Sequence, residues 1–510
     1  MKKQLFLIAL LFPLLMIRGQ SNLQLTWQRA YGGSQSDKGY IVIKTSDGNL
    51  IWSGAYKSND GDFTANQGNY DIFVTKTDPA GNVMWQKVFG GSNADYVNDI
   101  IEDSNGNILL TGSSKSNDGD ITGNHGNYDV IVVKLDASGN ILWQKSFGGS
   151  SVDKGMGIIQ DGNNYIVAGY TKSDDDDITG AIGNYDVWLL KLDDSGNLVS
   201  KKNIGGTDAD KINRIYALSN GNFMLTAYSK SADGDVGTNR GNYDFWIVEI
   251  NDSLNIVRSN TYGGSGLDEY PVMTEISPNY VFAGSTTSSD GQITGAHGSF
   301  DIWLWETGAN GTLLDEKSIG GTDADFATDL QVLDNSSCNC LAIAGYSNSD
   351  DGDLPGNYGS YDAIIALVDS NGTITDIKNF GGSNTEQFRR FVQMPDITAI
   401  GYTKSSDQDV SGQHGNYDAW MTTVNYAVSD ISSINQDIAN IYPNPASSYV
   451  NIEVKGLSHI QIIDLTGKTV LDKYTENDKI KFDVSGLTKG NYFIRIFRNK
   501  SVETRKLLLK

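Results

Sequence analysis

Cysteine, basic residues, long apolar runs and helical periodicity are all scarce in this chain. Two cysteines among 510 residues cannot staple a fold of this size, so stability must come from a packed core or from stacked repeats. Lys and Arg number 39 against 62 Asp and Glu, a net charge of -23. Nucleic acid is therefore not expected as a partner, because affinity for a polyphosphate rests on clustered cations that release counterions. After the N-terminal leader no stretch reaches about 18 consecutive apolar residues, so no transmembrane segment is expected. No apolar period of about 3.6 residues occurs, and no Ser-His-Asp, zinc or phosphate-loop constellation appears. What is present is 39% hydrophobic and 10% aromatic residues, enough to bury, and 57 Gly, which calls for many turns.

The two ends differ from the middle. Residues 1–19 read as a secretory signal: Lys2 and Lys3 precede an apolar run from Leu5 to Met16, too short to span a bilayer comfortably. No cysteine lies there to carry a lipid anchor. Residues 441–510 hold 12 Lys and Arg against 7 Asp and Glu, whereas residues 20–440 hold 24 against 55, so the acidity belongs to the middle. Residues 427–440 (AVSDISSINQDIAN) are small and polar and read as a linker.

Two landmarks repeat seven times. Gly-Gly begins at Gly32, Gly90, Gly148, Gly205, Gly263, Gly320 and Gly381, and GNYD or its variants GSFD and GSYD end at Asp71, Asp129, Asp186, Asp244, Asp301, Asp362 and Asp418. Within one unit, Tyr96 to Asp103 predicts a first strand, an Asn-Gly turn follows, and Ile108 to Ser114 predicts a second. A polar loop leads to a third strand from Tyr128 to Leu135, and a turn at Gly139-Asn140 to a fourth from Ile141 to Phe147. Four short antiparallel strands per unit describe a propeller blade. The chain enters at Leu23 to Tyr31 on a fourth strand, and the seventh unit stops at Tyr426 after its third. The fold class predicted is thus all-β. A seven-bladed propeller spans residues 23–426, its last blade closed by the N-terminal strand, and a small sandwich spans 441–510.

Two carboxylate series fall in loops that open on the same face of a propeller. Asp37, Asp95, Asp153, Asp210, Asp268, Asp325 and Glu386 follow each Gly-Gly and read as a ring of seven acids available for binding, or as struts to the neighbouring blade. The pairs Asp60/Asp62, Asp118/Asp120, Asp175/Asp177, Asp233/Asp235, Asp351/Asp353 and Asp407/Asp409, with Asp290/Gln292 as the exception, put two carboxylates two residues apart in a loop that mostly bears Gly. Such a loop either offers hard oxygens to calcium or fixes itself by Asx hydrogen bonds to backbone N–H groups. The Asp of each GNYD reads as a further strut and its Tyr or Phe as core packing. His125, His297 and His414 share one repeat position, but their blades hold them apart. Trp27, Trp85 and Trp143 should cover a blade face, and Cys338 and Cys340 form either a disulfide or two thiols.

The tail carries a family resemblance. IYPNPASSYVNIEV (441–454), IQIIDLTGKTVL (460–471), DVSGLTKGNYFIRI (483–496) and RKLLLK (505–510) resemble, in order, the C-terminal sorting domain of type IX secretion substrates in Bacteroidota. The resemblance implies an Ig-like β-sandwich read by the outer-membrane translocon and commonly removed, with Pro443, Asn444, Pro445, Gly490 and Lys510 among the sorting residues. The cargo would then be secreted or attached to the outer-membrane surface. The middle resembles the β-propeller repeat proteins of secreted bacterial chains, and more distantly the FG-GAP propellers of integrin type. FGGS at Phe89, Phe147 and Phe380 carries the latter likeness, without their DxDxDG calcium loop.

Together these readings predict an exported, monomeric, non-catalytic propeller that binds an extracellular protein or glycan, with calcium as its one candidate cofactor. The rival is an extracellular hydrolase or lyase acting on polysaccharide or peptide through the same carboxylates. Seven near-equal copies speak against it, because an active site needs departures specific to one blade.

Overall fold

The computed structural model describes residues 22–426 apart from 336–337, 355 and 371, and residues 440–510 apart from 454–457, 465–467, 476–478 and 499–500. The expected signal 1–19 lies outside the described residues, as does the expected linker 427–440 except for Asn440. Chain contacts divide the protein into two compact units, Met1–Val428 and Ser429–Lys510. Among the described residues every regular element is a strand, and no helix is long and apolar enough to cross a membrane.

The first unit consists of seven four-stranded antiparallel sheets, each a blade. In blade two the strands Asp95–Glu102, Ile108–Ser114, Asp129–Leu135 and Ile141–Phe147 lie side by side in chain order. The first and third strands thus differ by one residue from the sequence boundaries, because the strand starts at the aspartate itself. The second and third strands are buried at every position, since neighbouring blades cover both of their faces. That is why they read as continuous β-branched and aliphatic runs. Ile41, Ile51, Ile72 and Val74 of blade one share one core with Val97, Ile100, Leu110 and Ile131 of blade two. The fourth strand is the outer one and leaves Leu142 half exposed.

Hairpin turns are set by an aspartate that accepts backbone N–H groups. Asp136 Oδ1 takes those of Ser138 and Asn140 at 2.9 and 2.8 Å, and Gly139 supplies φ +80°. The ring closes as expected: Leu23–Tyr31 pairs antiparallel with Asp418–Tyr426, from Leu23 opposite Tyr426 to Tyr31 opposite Ala419. With Ile397–Thr403 and Glu386–Gln393 it completes blade seven. Cys340, in blade six, is disulfide-bonded, and the side chain of Cys338 falls outside the described residues.

The second unit has a three-stranded sheet, Asn440–Tyr442, Tyr449–Glu453 and Lys479–Asp483. It also has a four-stranded sheet of Thr469–Thr475, Ser458–Ile463, Gly490–Arg498 and Ser501–Leu509. Val450, Ile452 and Phe482 of the first share a core with Ile460, Ile494 and Leu507 of the second, which makes a β-sandwich.

Four described non-glycine residues have φ in the left-handed region: Asp176 (53°), Leu254 (60°), Tyr270 (59°) and Gln408 (56°). Asp176 and Gln408 stand in the middle of an Asp-x-Asp loop, where the other blades have Gly61, Gly119, Gly234, Gly291 and Gly352. Leu254 occupies the hairpin position of Gly139, whereas Tyr270 lies inside the strand Asp268–Ile276. Gln408 is exposed. Gln408→Gly is therefore expected to raise unfolding free energy by about 0.5–1 kcal/mol, the left-handed penalty less the added chain entropy of glycine. Chemical denaturation measures it, and an unchanged or lowered midpoint would contradict the assignment.

Candidate functional site

Asp37, Asp95, Asp153, Asp210, Asp268, Asp325 and Glu386 are fully buried. The reading of them as an accessible binding ring is corrected: each clasps one blade to the one before it. The Asp95 N–H donates to the Tyr70 carbonyl of blade one at 2.7 Å. Its Oδ2 accepts the Gly91 N–H at 2.9 Å and the Ser116 hydroxyl at 3.0 Å, and its Oδ1 accepts the Ser114 hydroxyl. Asp37 repeats this with Tyr417, Gly33 and Ser58, and Glu386 with Tyr361, Gly382 and Thr403. The serines at the Ser116 position (Ser58, Ser173, Ser231, Ser288, Ser349, Ser405) are all buried. They form a third sevenfold landmark, two residues before each Asp-x-Asp, which could have been read from the repeats.

A second buried carboxyl faces each clasp. Asp71, Asp129, Asp186, Asp244, Asp301, Asp362 and Asp418 each accept the N–H of the residue four before, at 2.5–2.9 Å. In all but Asp186 the other oxygen, Oδ1, meets no donor among the described residues. The first Gly of each Gly-Gly threads between the two acids. A Cβ on Gly148 would lie 2.6 Å from Asp129 Cγ and 2.9 Å from Asp153 Oδ2, which explains why no other residue stands there. Burial, reinforced by the facing carboxylate, pushes Asp244 up to about 6 and Asp362 to about 7. Burial likewise raises Asp71 to about 6 against the pull of the Gln67 N–H, with Asp95 adding to the rise.

The Asp-x-Asp loops also turn inward to the backbone. Asp60 Oδ1 accepts the Ser34 N–H, and the first acid of every other loop (Asp118, Asp175, Asp233, Asp290, Asp351, Asp407) does the same, at 2.7–2.8 Å. Asp62, Asp120, Asp177, Asp235 and Asp409 accept the N–H of the first Gly at 3.1–3.4 Å, and Asp353 reaches the Gly320 carbonyl through its own N–H. Gln292 makes the same contact through its amide oxygen, so that position does not require charge. Among the described residues no three His, Cys, Asp or Glu side chains come together as a metal site. His125 and His414 each lie 2.9 Å from the aspartate of their own blade.

The inner strands converge on a different chemistry. All seven blades line a central cavity of about 530 Å³. Lys38, Lys154, Arg214, Arg389 and Arg390 line it, with Tyr40, Tyr96, Tyr170, Tyr270, Tyr346, Tyr402 and Phe326, and no aspartate or glutamate is among its described lining. Ion pairs form its floor: Arg390 of blade seven meets Asp99 of blade two at 2.6 Å, and Arg214 of blade four meets Asp329 of blade six at 2.6 Å. On the far side a second cavity of about 430 Å³ shares Arg214 and Arg390. The two cavities meet at these ion-paired guanidinium groups.

A further set of lysines surrounds the recess. Lys115 lies 4.5 Å from the ring centre of Tyr128, Lys230 4.7 Å from Tyr243, Lys172 5.4 Å from Tyr185, Lys404 5.5 Å from Tyr417 and Lys57 5.7 Å from Tyr70. Lys38 lies 4.4 Å from both Tyr402 and Tyr417. These GNYD tyrosines are half buried and hold ammonium groups by cation–π attraction, which corrects their reading as core packing. Burial and the neighbouring Arg389 push the Lys38 ammonium down, and burial with Lys211 and Lys115 does the same to Lys154. Blades five and six lack these cations, with Glu269 and Thr287, and Phe326 and Asn348, at the corresponding positions. Sequence reading missed the lysines, although Lys-Ser recurs at Lys57, Lys115, Lys172, Lys230 and Lys404.

In the second unit the expected sorting residues do come together. Asn444 donates to the Lys506 carbonyl at 2.8 Å and accepts the Leu508 N–H at 3.0 Å, and the Lys510 N–H reaches the Ala446 carbonyl at 2.9 Å. Gly490 stands opposite Leu509. The Pro443-Asn444-Pro445 segment is thus laced to the last strand beside the start of Gly490–Arg498.

Residues 440–510 match the family model of the secretion system C-terminal sorting domain, and residues 85–120 that of the β-propeller repeat. No curated protein matches the chain. Among solved structures, PorZ, a surface component of the type-IX secretion system of Porphyromonas gingivalis, is 12% identical with a TM-score of 0.30, over 93% of this chain and 68% of that one. Dihydro-heme d1 dehydrogenase NirN is 12% identical at 0.32, over 90% and 80%. A Synechocystis apocarotenoid oxygenase mutant is 11% identical at 0.36, over 72% and 94%.

The paired carboxyls set a pH dependence. Burial raises the folded pKa values of Asp71, Asp244 and Asp362, so between about pH 4 and 7 the folded chain holds protons that the unfolded chain has released, and stability falls as pH rises through that window. The thermal midpoint is expected to be higher at the acid end, and Asp362→Asn to lessen the slope. A midpoint flat or rising across the window would contradict it.

Proposed function

We propose that this exported propeller, a type IX secretion cargo that is secreted or held at the outer-membrane surface, is a non-catalytic binding protein whose site is the cationic, tyrosine-walled recess. The observation that carries the reading is the gathering of Lys38, Lys154 and Arg389, besides the ion-paired Arg214 and Arg390, around one cavity without a lining carboxylate, in a chain whose net charge is -23. Burial and neighbouring cations depress Lys38 and Lys154, so their charge is held at a cost that an anion entering beside them removes. A recess of about 530 Å³ admits a chain end or a sugar-sized group rather than the flat surface of a folded partner. Tyrosine faces suit the C–H face of a pyranose ring, and the cations suit its acidic substituent. The ligand class is therefore an acidic glycan. The exposed Asp-x-Asp acids of the entrance loops repel polyanions that approach by any route other than the recess.

The test is calorimetric titration of the mature chain with a galacturonate oligosaccharide and with neutral maltotriose. Binding is expected for the first alone, weakened about tenfold or more by Lys38→Ala with Lys154→Ala and by added salt. It is expected to weaken again at alkaline pH, where the depressed lysines lose their charge first. Capture of an acidic peptide but no acidic sugar would replace the ligand class, and release of shorter sugars during the titration would overturn the non-catalytic reading.

A further inference from the structure

Blade five departs from its six siblings at one point of the recess. In the other six blades the third residue of the inner strand is buried: Gly39, Val97, Gly155, Ile212, Ala327 and Phe388. The seventh member, Tyr270, is 45% exposed and lines the recess. The reversal has a visible backbone cause. Elsewhere one residue bulges out of register, as between Val97 and Asp99, whereas in blade five the register breaks between Glu269 and Val272. Pro271 offers no N–H to the ladder and is itself buried, and Tyr270 takes φ +59°. The Asn213 amide of blade four fixes the turn by donating to the Pro271 carbonyl at 2.9 Å.

Of the four non-glycine residues in the left-handed region, Tyr270 is the one within a strand and at a position where no turn demands it. Such strain persists only where surrounding structure over-determines it. What it achieves here is to stand an aromatic face free in the recess, backed by the buried Tyr228 ring at 5.1 Å. The lysines are supplied by blades seven and one to four, so this ring stands on the wall that lacks them. A ligand with an acidic group at one end and a ring at the other fits both.

Resting on the acidic-glycan reading, we propose that Tyr270 determines specificity as a stacking platform: it makes the recess select a ring-bearing acid, a uronate, over a bare anion. The lysines supply charge to either ligand, but the ring face is offered only to the sugar. Stacking on an aromatic side chain adds directional attraction as well as buried area.

The experiment titrates wild type, Tyr270→Phe and Tyr270→Gly with galacturonate oligosaccharide and with inorganic sulfate, and records the melting temperature of each. Tyr270→Gly is expected to weaken galacturonate binding about tenfold, to leave sulfate binding unchanged and to melt higher, because glycine adopts the left-handed φ without strain. Tyr270→Phe keeps the ring and should keep most of the selectivity. Equal galacturonate affinity in wild type and Tyr270→Gly would overturn the platform while leaving the recess as the site. Equal losses for both probes would reduce Tyr270 to a support of the recess's shape and also overturn it. A wild type that binds neither probe would remove the acidic-glycan reading, and the platform with it.

Discussion

Everything in the propeller depends on how two buried acids meet across each blade junction. The carboxyl that opens one inner strand and the carboxyl that opens the preceding blade's third strand close around a glycine too small to keep them apart, as Asp129 and Asp153 do around Gly148. Backbone N–H groups and buried serine or threonine hydroxyls hold most of their oxygens, and burial raises the pKa of the acid that opens the third strand, as at Asp129. Because the contact recurs at every junction, it sets the angle between blades and so the width of the central recess. The Tyr70 carbonyl that receives the Asp95 N–H belongs to the same residue whose ring carries Lys57. Structural clasp and functional wall are thus one piece of backbone.

Net charge misleads here because it sums over shells that the fold keeps separate. The exposed acids lie in entrance loops and hairpin turns, where they serve the backbone, and the cations collect where inner strands converge. The described lining of the recess carries cations and no acid, in a chain that is acidic as a whole. The ion pairs Arg390–Asp99 and Arg214–Asp329 then act as a floor. They tie together blades that are not neighbours and keep the two guanidinium groups compensated, which leaves Lys38, Lys154 and Arg389 as the lining cations outside those pairs.

The repeat architecture and the sorting tail were legible because both rest on local patterns: Gly-Gly, GNYD, Asn-Gly turns and the Pro443-Asn444-Pro445 run. The closure of the seven-bladed ring followed from phase alone, Leu23–Tyr31 supplying the strand that the last unit lacks. The site was not legible in the same way. Seven acids at the mouths of inner strands look available until the burial of Asp95 between Gly91, Ser114 and Ser116 is seen. The Lys-Ser repeat was readable, but its meaning depends on Lys115 reaching over the Tyr128 ring, a relation between strands. Tyr270 carries no pattern at all in one dimension. Only the Pro after it hints that the strand is bent, and whether the side chain turns in or out is decided by the register of Asp268–Ile276 against Asn279–Thr286.

Closure by the N-terminal strand also fixes an order of events. Leu23–Tyr31 finds its partner only in Asp418–Tyr426, nearly the whole length of the propeller away along the chain. Six blades can form from sequence neighbours, but the seventh joins the two most distant segments, the kind of contact that is slow to form. The first residues of the ring to be made are therefore the last to be placed. Until that seam forms, the outer edge of Asp418–Tyr426 is an open strand and the ring around the recess has nothing to hold its circumference.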